Sequence, residues 1–352
     1  MQGFRYRLYR TVLDALYFSG AHWIMRPLLG GAGAILMLHH VRPPRHDRFQ
    51  PNRLLEVTPA FFEKVIRRLR RSRADLISLD EMHRRMTKRD FKRRFVCITF
   101  DDGYRDNLQY AYPVLKKYQV PFAIYVATGF TDHVGEMWWL ALEAVITKQE
   151  MIAVRLDDED RWFNCGTPQE KQAVFEHLYW WLRARKTEDE LRHVVRELAA
   201  RYNVDTSKYC AELCMTWQEL AELAADPLCT IGAHTVNHVI LAKVSDNDVR
   251  AELENSRAVI EAALGVRPQH LAYPVGDRTS AGPREFKIAA DLGFKTAVTT
   301  RPGAIFKGHG KHLTALPRIS LNGEFQRPRY ARVLVSGTAT SLWNGLRPIN
   351  VT

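Results

Sequence analysis

Short apolar runs alternate with amphipathic stretches along most of this chain. The runs AILML at 34–38, FVCITF at 95–100 and FAIYVAT at 122–128 contain no charged residue, which is typical of strands buried on both faces of a parallel sheet. Comparable runs occur at 76–79, 229–234, 271–276, 296–300 and 316–321. The alternation of these runs with helical patterns predicts an α/β fold with about seven strands, and its best match is a (β/α)7-type distorted barrel.

The stretches between the runs carry helix signals. Thr58 is suited to the cap of a helix and Pro59 to its first position. Apolar residues at helical spacing follow them: Phe62, Val65, Ile66 and Leu69. Further helices are predicted at 107–118, 246–264 and 283–292.

The alternation stops between about 130 and 215. This part is helical in character and contains five tryptophans, Trp138, Trp139, Trp162, Trp180 and Trp181. We predict a main domain at 34–322 interrupted by a helical, Trp-rich insertion at 130–215, with an N-terminal helical segment at 1–33 and a C-terminal tail at 323–352. The tryptophans of the insertion either cover a ligand cleft or form the core of a helical subdomain.

The sequence predicts an amphipathic helix in the N-terminal segment. Residues 4–18 place Arg7, Arg10 and Asp14 on one narrow face, with apolar and tyrosine side chains over the rest. Two interpretations stay open, a helix packed on the domain and a basic-aromatic helix lying on an anionic membrane surface. The stretch contains Asp14 and no clear cleavage site, so it does not match a signal peptide. The sequence contains no uninterrupted run of about 18 apolar residues, so no transmembrane helix is expected.

Composition narrows the class of protein. A hydrophobic content of 46% excludes a disordered chain, and a net charge of +12 favours an anionic partner such as nucleic acid, an acidic glycan or a phospholipid surface. The arginine clusters at 67–73 and 84–94 match no nucleic-acid-binding motif, so no nucleic acid partner is expected. Five cysteines without CxxC spacing favour a reducing compartment over a disulfide framework. The expected location is the cytoplasm, with a peripheral position on the inner membrane face as an extension of that prediction.

Polar residues follow several of the predicted strands. Asp101, Asp102 and Gly103 come directly after FVCITF, either as a turn that caps the next helix or as carboxylates of a functional site. His234 and His238 follow CTIGA, and their i, i+4 spacing allows both imidazoles to bind one ion. Asp102 would complete a facial set of two histidines and one carboxylate, which leaves positions open for water and substrate. An iron oxygenase is the common use of such a set, but the spare carboxylate of Asp101 suggests hydrolysis.

Three more strand ends carry candidates. Leu38-His39-His40-Val41 ends the first run, where paired histidines are compatible with a helix cap or a solvated loop as well as with a site. Ala272-Tyr273-Pro274-Val275-Gly276 ends another run. Arg318 lies at the end of a third, and an arginine there usually has a carboxylate partner, for which Asp101 is suited.

Together these motifs resemble one family. TFDDG at 99–103, HTVNH at 234–238, AYPVG at 272–276 and LPRI at 316–319 are similar to the motifs of the polysaccharide deacetylases of carbohydrate esterase family 4, the NodB-homology fold. The resemblance covers roughly residues 34–130 and 228–322. LHHV at 38–41 ahead of TFDDG is similar to the circularly permuted branch that includes the poly-N-acetylglucosamine deacetylases.

The resemblance implies metal-assisted amide hydrolysis. Asp102, His234 and His238 would hold a divalent ion, with Zn²⁺ the first choice and iron, cobalt or nickel also compatible with the donors. Asp101 would act as general base, and His39 matches the general acid of the related branch.

The remaining site residues follow from the same resemblance. The backbone N–H of Val275 would stabilise the oxyanion, with Pro274, Tyr273 and Gly103 beside the substrate. Arg318 would orient Asp101 and keep it ionised. This chain departs from the family at Val275, where tyrosine is usual, at Ala272, where arginine is usual, and at Leu38, where tyrosine is usual.

The implied reaction is removal of N-acetyl groups from a hexosamine-containing glycan. Without an export signal, an oligosaccharide or a lipid-linked oligosaccharide at the inner membrane face is the expected substrate, and the charge of +12 fits a phosphate-bearing lipid partner. Two alternatives stay open. One is a metal-dependent O-acetyl esterase with the same site, and the other is a non-catalytic glycan- or membrane-binding relative.

Overall fold

The computed structural model describes residues 2–156, 159–349 and 351, with the backbone alone for residues 2–5. Residues 1, 157–158, 350 and 352 lie outside the described residues, so the outermost positions of the predicted segments 1–33 and 323–352 are not addressed.

Twelve strands occur in the described part of the chain. In order they are β1 (Gly33–Leu38), β2 (His40–Val41), β3 (Glu56–Val57), β4 (Asp75–Leu76), β5 (Phe95–Phe100), β6 (Phe122–Val126), β7 (Met151–Leu156), β8 (Glu159–Asn164), β9 (Cys229–Ala233), β10 (His270–Ala272), β11 (Thr296–Pro302) and β12 (Leu316–Ser320).

Seven of these strands close into a parallel barrel. The order is β1-β12-β11-β10-β9-β6-β5, and β5 returns to pair with β1. Leu36 of β1 is opposite Ile319 on one side and Ile98 on the other, so β1 has no free edge. The predicted seven-stranded α/β barrel is therefore confirmed. Of the run at 76–79 only Leu76 lies in a strand, the two-residue β4, which pairs with β5 outside the closed ring.

Sixteen α-helices occur in the same residues. They are α1 (Gln2–Phe18), α2 (Ala21–Ile24), α3 (Arg26–Leu29), α4 (Pro59–Arg70), α5 (Leu79–Lys88), α6 (Tyr112–Tyr118), α7 (Thr128–Thr131), α8 (Trp138–Lys148), α9 (Pro168–Arg183), α10 (Glu188–Arg201), α11 (Tyr209–Leu213), α12 (Trp217–Ala224), α13 (Asp246–Leu264), α14 (Pro283–Asp291), α15 (Pro328–Val335) and α16 (Thr338–Trp343).

Helix α4 shows how local sequence builds the outer layer. The N–H of Phe61 donates to the Thr58 hydroxyl at 3.3 Å, and Pro59 occupies the first helical position. The predicted apolar stripe is buried against the barrel. The predictions of helices at 246–264 and 283–292 are likewise confirmed by α13 and α14.

The insertion is helical with one exception. Helices α8 to α11 lie within 130–215, but β7 and β8 form an antiparallel pair there, with Ala153 opposite Trp162. The helical prediction for this stretch was wrong because MIAVRL places mainly branched and apolar residues in a short run. Such residues favour a strand when a partner strand covers their backbone.

The C-terminal segment 323–352 is not the predicted tail. Helices α15 and α16 fold within it, and Tyr330 and Val333 of α15 are buried against Leu13 of α1. Asp14 accepts hydrogen bonds from Arg329 and from the Tyr330 hydroxyl. Helix α1 is thus packed on the domain, and two charges of its polar face, Arg10 and Asp14, have partners on the C-terminal segment, Glu324 and Arg329.

Two further findings concern the helices and the cysteines of the described residues. None of the described helices combines the length and the hydropathy that a bilayer-crossing segment needs. All five cysteines are free thiols.

A buried histidine makes stability depend on pH. The pKa of His309 is lowered to about 4, mainly by burial, and its Nδ1 accepts the N–H of Phe306 at 2.9 Å. The unfolded chain, with a histidine pKa of about 6.5, binds the proton more readily, so stability falls as pH decreases from about 6.5 to 4. We expect His309 to account for about 2 kcal/mol of lost unfolding free energy between pH 7 and pH 5.

Urea unfolding at both pH values, for wild type and His309→Asn, checks this expectation. The Asn amide oxygen can accept the same N–H but does not titrate. The variant should show a shallower pH dependence than wild type, and an equal dependence would contradict the assignment.

Candidate active site

The functional candidates follow strands of one parallel barrel. Asp101 and Asp102 follow β5, His234 follows β9, and Val275 lies in the turn after β10. Because parallel strands end at the same rim, these side chains meet on the carboxyl-terminal face of the barrel.

The backbone at this rim is strained. Asp102, Thr235, His238 and Val275 have φ values of 72°, 65°, 53° and 60°, in a region that residues other than glycine rarely adopt. Such conformations cost about 1–3 kcal/mol each and persist where surrounding contacts hold them. The His238 N–H, for example, donates to the Thr235 hydroxyl at 2.9 Å. Their clustering at one rim is typical of a functional site.

Asp102, His234 and His238 form a compact set of possible metal ligands. The Nε2 atoms of His234 and His238 lie 3.2 and 3.3 Å from Oδ1 of Asp102, and all three residues are buried. Oδ1 makes no hydrogen bond to a described residue. Nδ1 of His234 lies 2.7 Å from the Ala272 carbonyl and therefore donates to it, and Nε2 faces Asp102.

The charge state of Asp102 suits this set. Burial alone would raise its pKa, but the neighbouring imidazoles of His234 and His238 outweigh burial, and the pKa lies well below the usual carboxyl range. Metal ligands must be deprotonated to bind. An ionised carboxylate oxygen without a hydrogen bond, facing two imidazole nitrogens, fits a divalent cation between the three donors.

Asp101 is held by a buried arginine. Its Oδ1 and Oδ2 accept from Nη1 and Nη2 of Arg318 at 2.7 and 2.6 Å. Arg318 is fully buried, and its Nε donates to the Thr299 carbonyl at 2.9 Å. Burial would raise the pKa of Asp101, but Arg318 outweighs it and the net shift is downward. Asp101 is therefore an oriented, ionised carboxylate beside Asp102.

His39 is the histidine of its pair that faces the site. Its Nε2 lies 3.9 Å from Oδ2 of Asp101. Burial lowers the pKa of His39, and the nearby Asp102 and Asp101 oppose that shift in part. His40 instead stacks on Tyr104 at 3.6 Å between ring centroids, so it packs behind the loop.

A comparison with protein families decides the class of this arrangement. Residues 88–297, more than half of the chain, match the sequence model of the family described as polysaccharide deacetylase. The chain belongs to the polysaccharide deacetylase family. The matched residues include Asp101, Asp102, His234 and His238, whereas His39 and Arg318 lie outside them and reach the site through the fold.

A named relative agrees with the assignment to this family. The poly-beta-1,6-N-acetyl-D-glucosamine N-deacetylase of Staphylococcus aureus is 38% identical over 97 residues, which are 27% of this chain. The match spans 31% of that relative's length.

Solved structures share the fold of this polysaccharide deacetylase family member. The Streptococcus pyogenes deacetylase PplD, solved in complex with acetate, has a TM-score of 0.56 and 20% identity, over 82% of this chain and 92% of that one. IcaB from Ammonifex degensii has a TM-score of 0.53 and 18% identity, over 85% of this chain and 97% of that one. At such identities the likeness shows the fold alone.

The turn after β10 presents a backbone donor in this deacetylase family member. The Val275 carbonyl accepts from the Thr300 hydroxyl at 2.7 Å, and the Pro274 carbonyl accepts from the Gly276 N–H at 2.6 Å. The Val275 N–H donates to no described residue. Gly103, with φ of 69°, makes the corresponding turn after Asp102.

Tyr273 was wrongly predicted to lie beside the substrate. Its hydroxyl donates to the Thr314 carbonyl at 2.8 Å, and its ring packs on Phe286 of α14, away from the site. Its N–H donates to the Val298 carbonyl. Adjacent residues at a strand end point to opposite faces, so the position that follows Ala272 belongs to the outer layer.

The insertion forms one wall of the site. Phe130 stacks on His238 at 5.5 Å between centroids, and Trp139 lies 5.1 Å from the same ring. Trp138 and Trp139 are buried in the insertion's own core, with their rings 87° apart. The tryptophans at 138–139 thus build a core that reaches the site, whereas Trp162 and Trp180 are largely exposed.

Three residues near the site were missed by sequence reasoning. Asp106 accepts the Val41 N–H and contacts His40 Nδ1 at 2.6 Å, and Asn107 donates to the His39 carbonyl at 2.7 Å, so both hold the loop that carries His39. Glu252 accepts the N–H groups of residues 236 and 237 and holds the HTVNH turn. Asp106 and Asn107 sit three and four residues after Gly103, a position that could have marked them. No local signal marks Glu252.

Proposed function

We propose that this chain hydrolyses the amide bond of N-acetylated hexosamine residues in a glycan and releases acetate. The observation that carries the proposal is the buried set of Asp102, His234 and His238 with a second, arginine-held carboxylate beside it. The family and the named Staphylococcus aureus relative support the same reaction class. An O-acetyl esterase sharing this site is an outcome of the test described below.

A divalent ion is part of the proposal. Asp102, His234 and His238 would hold it, and their one carboxylate and two imidazoles suit Zn²⁺, with iron, cobalt or nickel as the other candidates. When bound, such an ion lowers the pKa of a water ligand towards 7 and polarises the amide carbonyl.

Asp101 is proposed as the general base. Its carboxylate lies next to Asp102 in the chain and keeps lone pairs beyond the two bonds to Arg318. It would accept the proton of the attacking water. Arg318 would position this carboxylate and hold it ionised, because both guanidinium Nη atoms donate to it.

The collapse of the tetrahedral adduct needs a donor and an acid. The Val275 N–H, which has no partner among the described residues, would donate to the developing oxyanion. His39 would protonate the departing amine. Burial lowers the pKa of His39, so a protonated His39 gives its proton readily to the departing amine. The carboxylates of Asp102 and Asp101 oppose this shift and keep the protonated form accessible.

Acetate release tests the reaction. Purified protein is stripped of metal, restored with Zn²⁺, Fe²⁺, Co²⁺ or Ni²⁺, and supplied with N-acetylglucosamine oligomers and with O-acetylated oligosaccharides. We expect release from the N-acetylated substrates that disappears on stripping and returns with metal. Release from the O-acetylated substrates alone would contradict amide hydrolysis, and tight metal binding without any release would favour a non-catalytic glycan-binding relative.

We also propose that the protein acts at an anionic membrane surface, on the inner face of the membrane. We define the apolar face as six exposed side chains on α2, α3 and α16 and just after α16, which are Trp23, Ile24, Leu28, Leu342, Trp343 and Leu346. Helix α16 packs against α2 and α3, so the face belongs to one surface region. Residues 1–33 and 323–352 together contain eight arginines and two acidic residues. Exposed aromatic and aliphatic residues among arginines suit an anionic lipid surface.

Vesicle cosedimentation checks this location. Trp23→Ser combined with Leu28→Ser should weaken binding to phosphatidylglycerol-containing vesicles by about tenfold or more, because both side chains would lose burial in the lipid interface. Trp162→Ser is the matched control, since Trp162 is 68% exposed and Trp23 66%. Equal binding by the double variant and wild type, or no binding by wild type at low salt, would contradict the membrane proposal.

A further inference from the structure

A cavity lies next to the turn that carries Val275. Its volume is about 560 Å³, and its walls come from the loop after the Val275 turn, the end of β11 and the C-terminal segment. Three arginines contribute to it, Arg278, Arg301 and Arg347, together with Asp277 and Trp343. None of these residues takes part in the proposed hydrolysis.

Arg301 is a buried cation without an acidic partner among the described residues. It is 4% exposed, and one nitrogen, Nη2, donates to the Ala281 carbonyl at 2.8 Å. Nε and Nη1 have no hydrogen-bond partner among the described residues. Burial and the neighbouring charge of Arg278 both lower the pKa of Arg301, which shows that positive charge is poorly compensated here. A buried cation in this state is costly unless an anion is brought to it.

The one acidic wall residue is already engaged. Oδ2 of Asp277 accepts from Arg183 at 2.9 Å, and Oδ1 accepts from the Thr279 and Ser280 hydroxyls at 2.8 Å each. The negative charge of Asp277 is therefore paired with Arg183. Among the described residues Asp277 makes no ion pair with Arg301 or Arg347, so these two guanidinium groups keep their positive charge in the cavity wall and can accept an anion of more than one charge.

Short links connect this cavity to the reacting centre. The Thr300 hydroxyl donates to the Val275 carbonyl, and Arg301 is the next residue of β11. The carbonyl of Thr299 accepts from Arg318, which holds Asp101. On the opposite wall, Trp343 belongs to the apolar face defined above. The cavity thus lies between the candidate site and the surface proposed to contact lipid.

We propose that this cavity binds a phosphate group of the glycan substrate, with Arg278 and Arg347 at its opening and Arg301 at its wall. The inference rests on the proposed function and names its substrate class, an N-acetylated glycan that carries a phosphate or diphosphate. Guanidinium groups match phosphate oxygens in pairs, and a phosphate carries up to two negative charges where a carboxylate carries one. The phosphate is that of a lipid-linked glycan or that of a free sugar phosphate.

Calorimetric titration of the whole chain with inorganic pyrophosphate tests the site without turnover. We expect saturable binding that weakens as ionic strength rises. Arg278→Gln and Arg347→Gln should each lower the affinity about tenfold, since each removes a charged donor, and Arg347→Lys should retain more affinity than Arg347→Gln. Both arginines are exposed, so neither change threatens folding. Arg155→Gln, an exposed arginine of the insertion, is the control.

Pyrophosphate can also bind a metal ion, and His238→Gln separates the two sites. Binding that persists in this variant belongs to the arginine cavity, so the subsite is assessed independently of the deacetylase proposal. Binding that is lost in His238→Gln and unchanged in Arg278→Gln and Arg347→Gln would overturn the inference. Glucuronate that binds as tightly as pyrophosphate would also overturn it.

Two substrates distinguish the source of the phosphate. N-acetylglucosamine 1-phosphate in solution and prenyl-diphosphate-linked N-acetylglucosamine in vesicles are compared for acetate release. For whichever of the two compounds is the substrate, Arg347→Gln should raise KM about tenfold and change kcat little. The reason is that the phosphate is distant from the amide bond that is hydrolysed. An equal KM in wild type and variant for both substrates would contradict a substrate role for the cavity.

Discussion

Asp101→Asn is expected to slow acetate release by about 10²- to 10⁴-fold, the range that a positioned general base contributes. Asparagine has nearly the same shape as aspartate but does not accept the proton of the attacking water. The ligands Asp102, His234 and His238 are unchanged, so metal content should stay at the wild-type level. Steady-state kinetics of acetate release, together with metal analysis of the same preparation, measure both quantities.

The same substitution affects stability through Arg318. This guanidinium is fully buried and loses its anionic partner, and removing one member of a buried pair costs about 3–5 kcal/mol of unfolding free energy. Activity is therefore measured at a temperature where circular dichroism shows the variant folded. Asp47→Asn, at an exposed aspartate in the loop after β2, is the control and should change neither rate nor stability. A folded Asp101→Asn enzyme within a few-fold of the wild-type rate would exclude Asp101 as the base.

His238→Gln is expected to remove the metal and nearly all activity. Removing a residue that only hydrogen-bonds to a metal ligand already lowers metal affinity 10- to 100-fold. Removing one of the three ligands themselves should therefore lower metal affinity about 100-fold or more. Metal content after dialysis should fall from about one ion per chain towards zero, and acetate release should fall with it. Elemental analysis and a titration of restored metal against activity give the two readouts.

His193→Gln is the matched control for that experiment. His193 is exposed on α10, and its ion pair among the described residues is with Glu197 at 3.6 Å, so its loss should leave metal content and rate unchanged. Wild-type metal content in His238→Gln would contradict the assignment of this histidine as a ligand. Parallel loss in both variants would point to a general loss of folding.

The barrel and the position of its rim followed from local sequence. Strands β1 and β5 are apolar at nearly every position because both faces of a parallel barrel wall are covered, and that requirement is visible in the residues themselves. Motifs that directly follow such strands must lie at the carboxyl-terminal rim. For this reason Asp101, Asp102 and His234 could be predicted to meet.

Other features depended on contacts that no local pattern records. The hairpin of β7 and β8 and the direction of the Tyr273 side chain both depend on which neighbour covers a short strand. Helix α1 and residues 328–335 are more than 300 positions apart, and their packing became visible only in the fold.

The sequence by itself determined the α/β barrel, the family motifs and the donors of the candidate metal set, because burial and strand-end chemistry act over a few residues. The pairing of Arg318 with Asp101 was already expected from the sequence, and the structure added its geometry of two hydrogen bonds across 217 positions. Only the tertiary structure decided that Asp106 and Glu252 hold the loops, and that three arginines surround one cavity. These features arise from side chains that approach through space after the barrel closes. Closure brings distant strand ends to one rim, and the spacing of residues along the chain does not encode that distance.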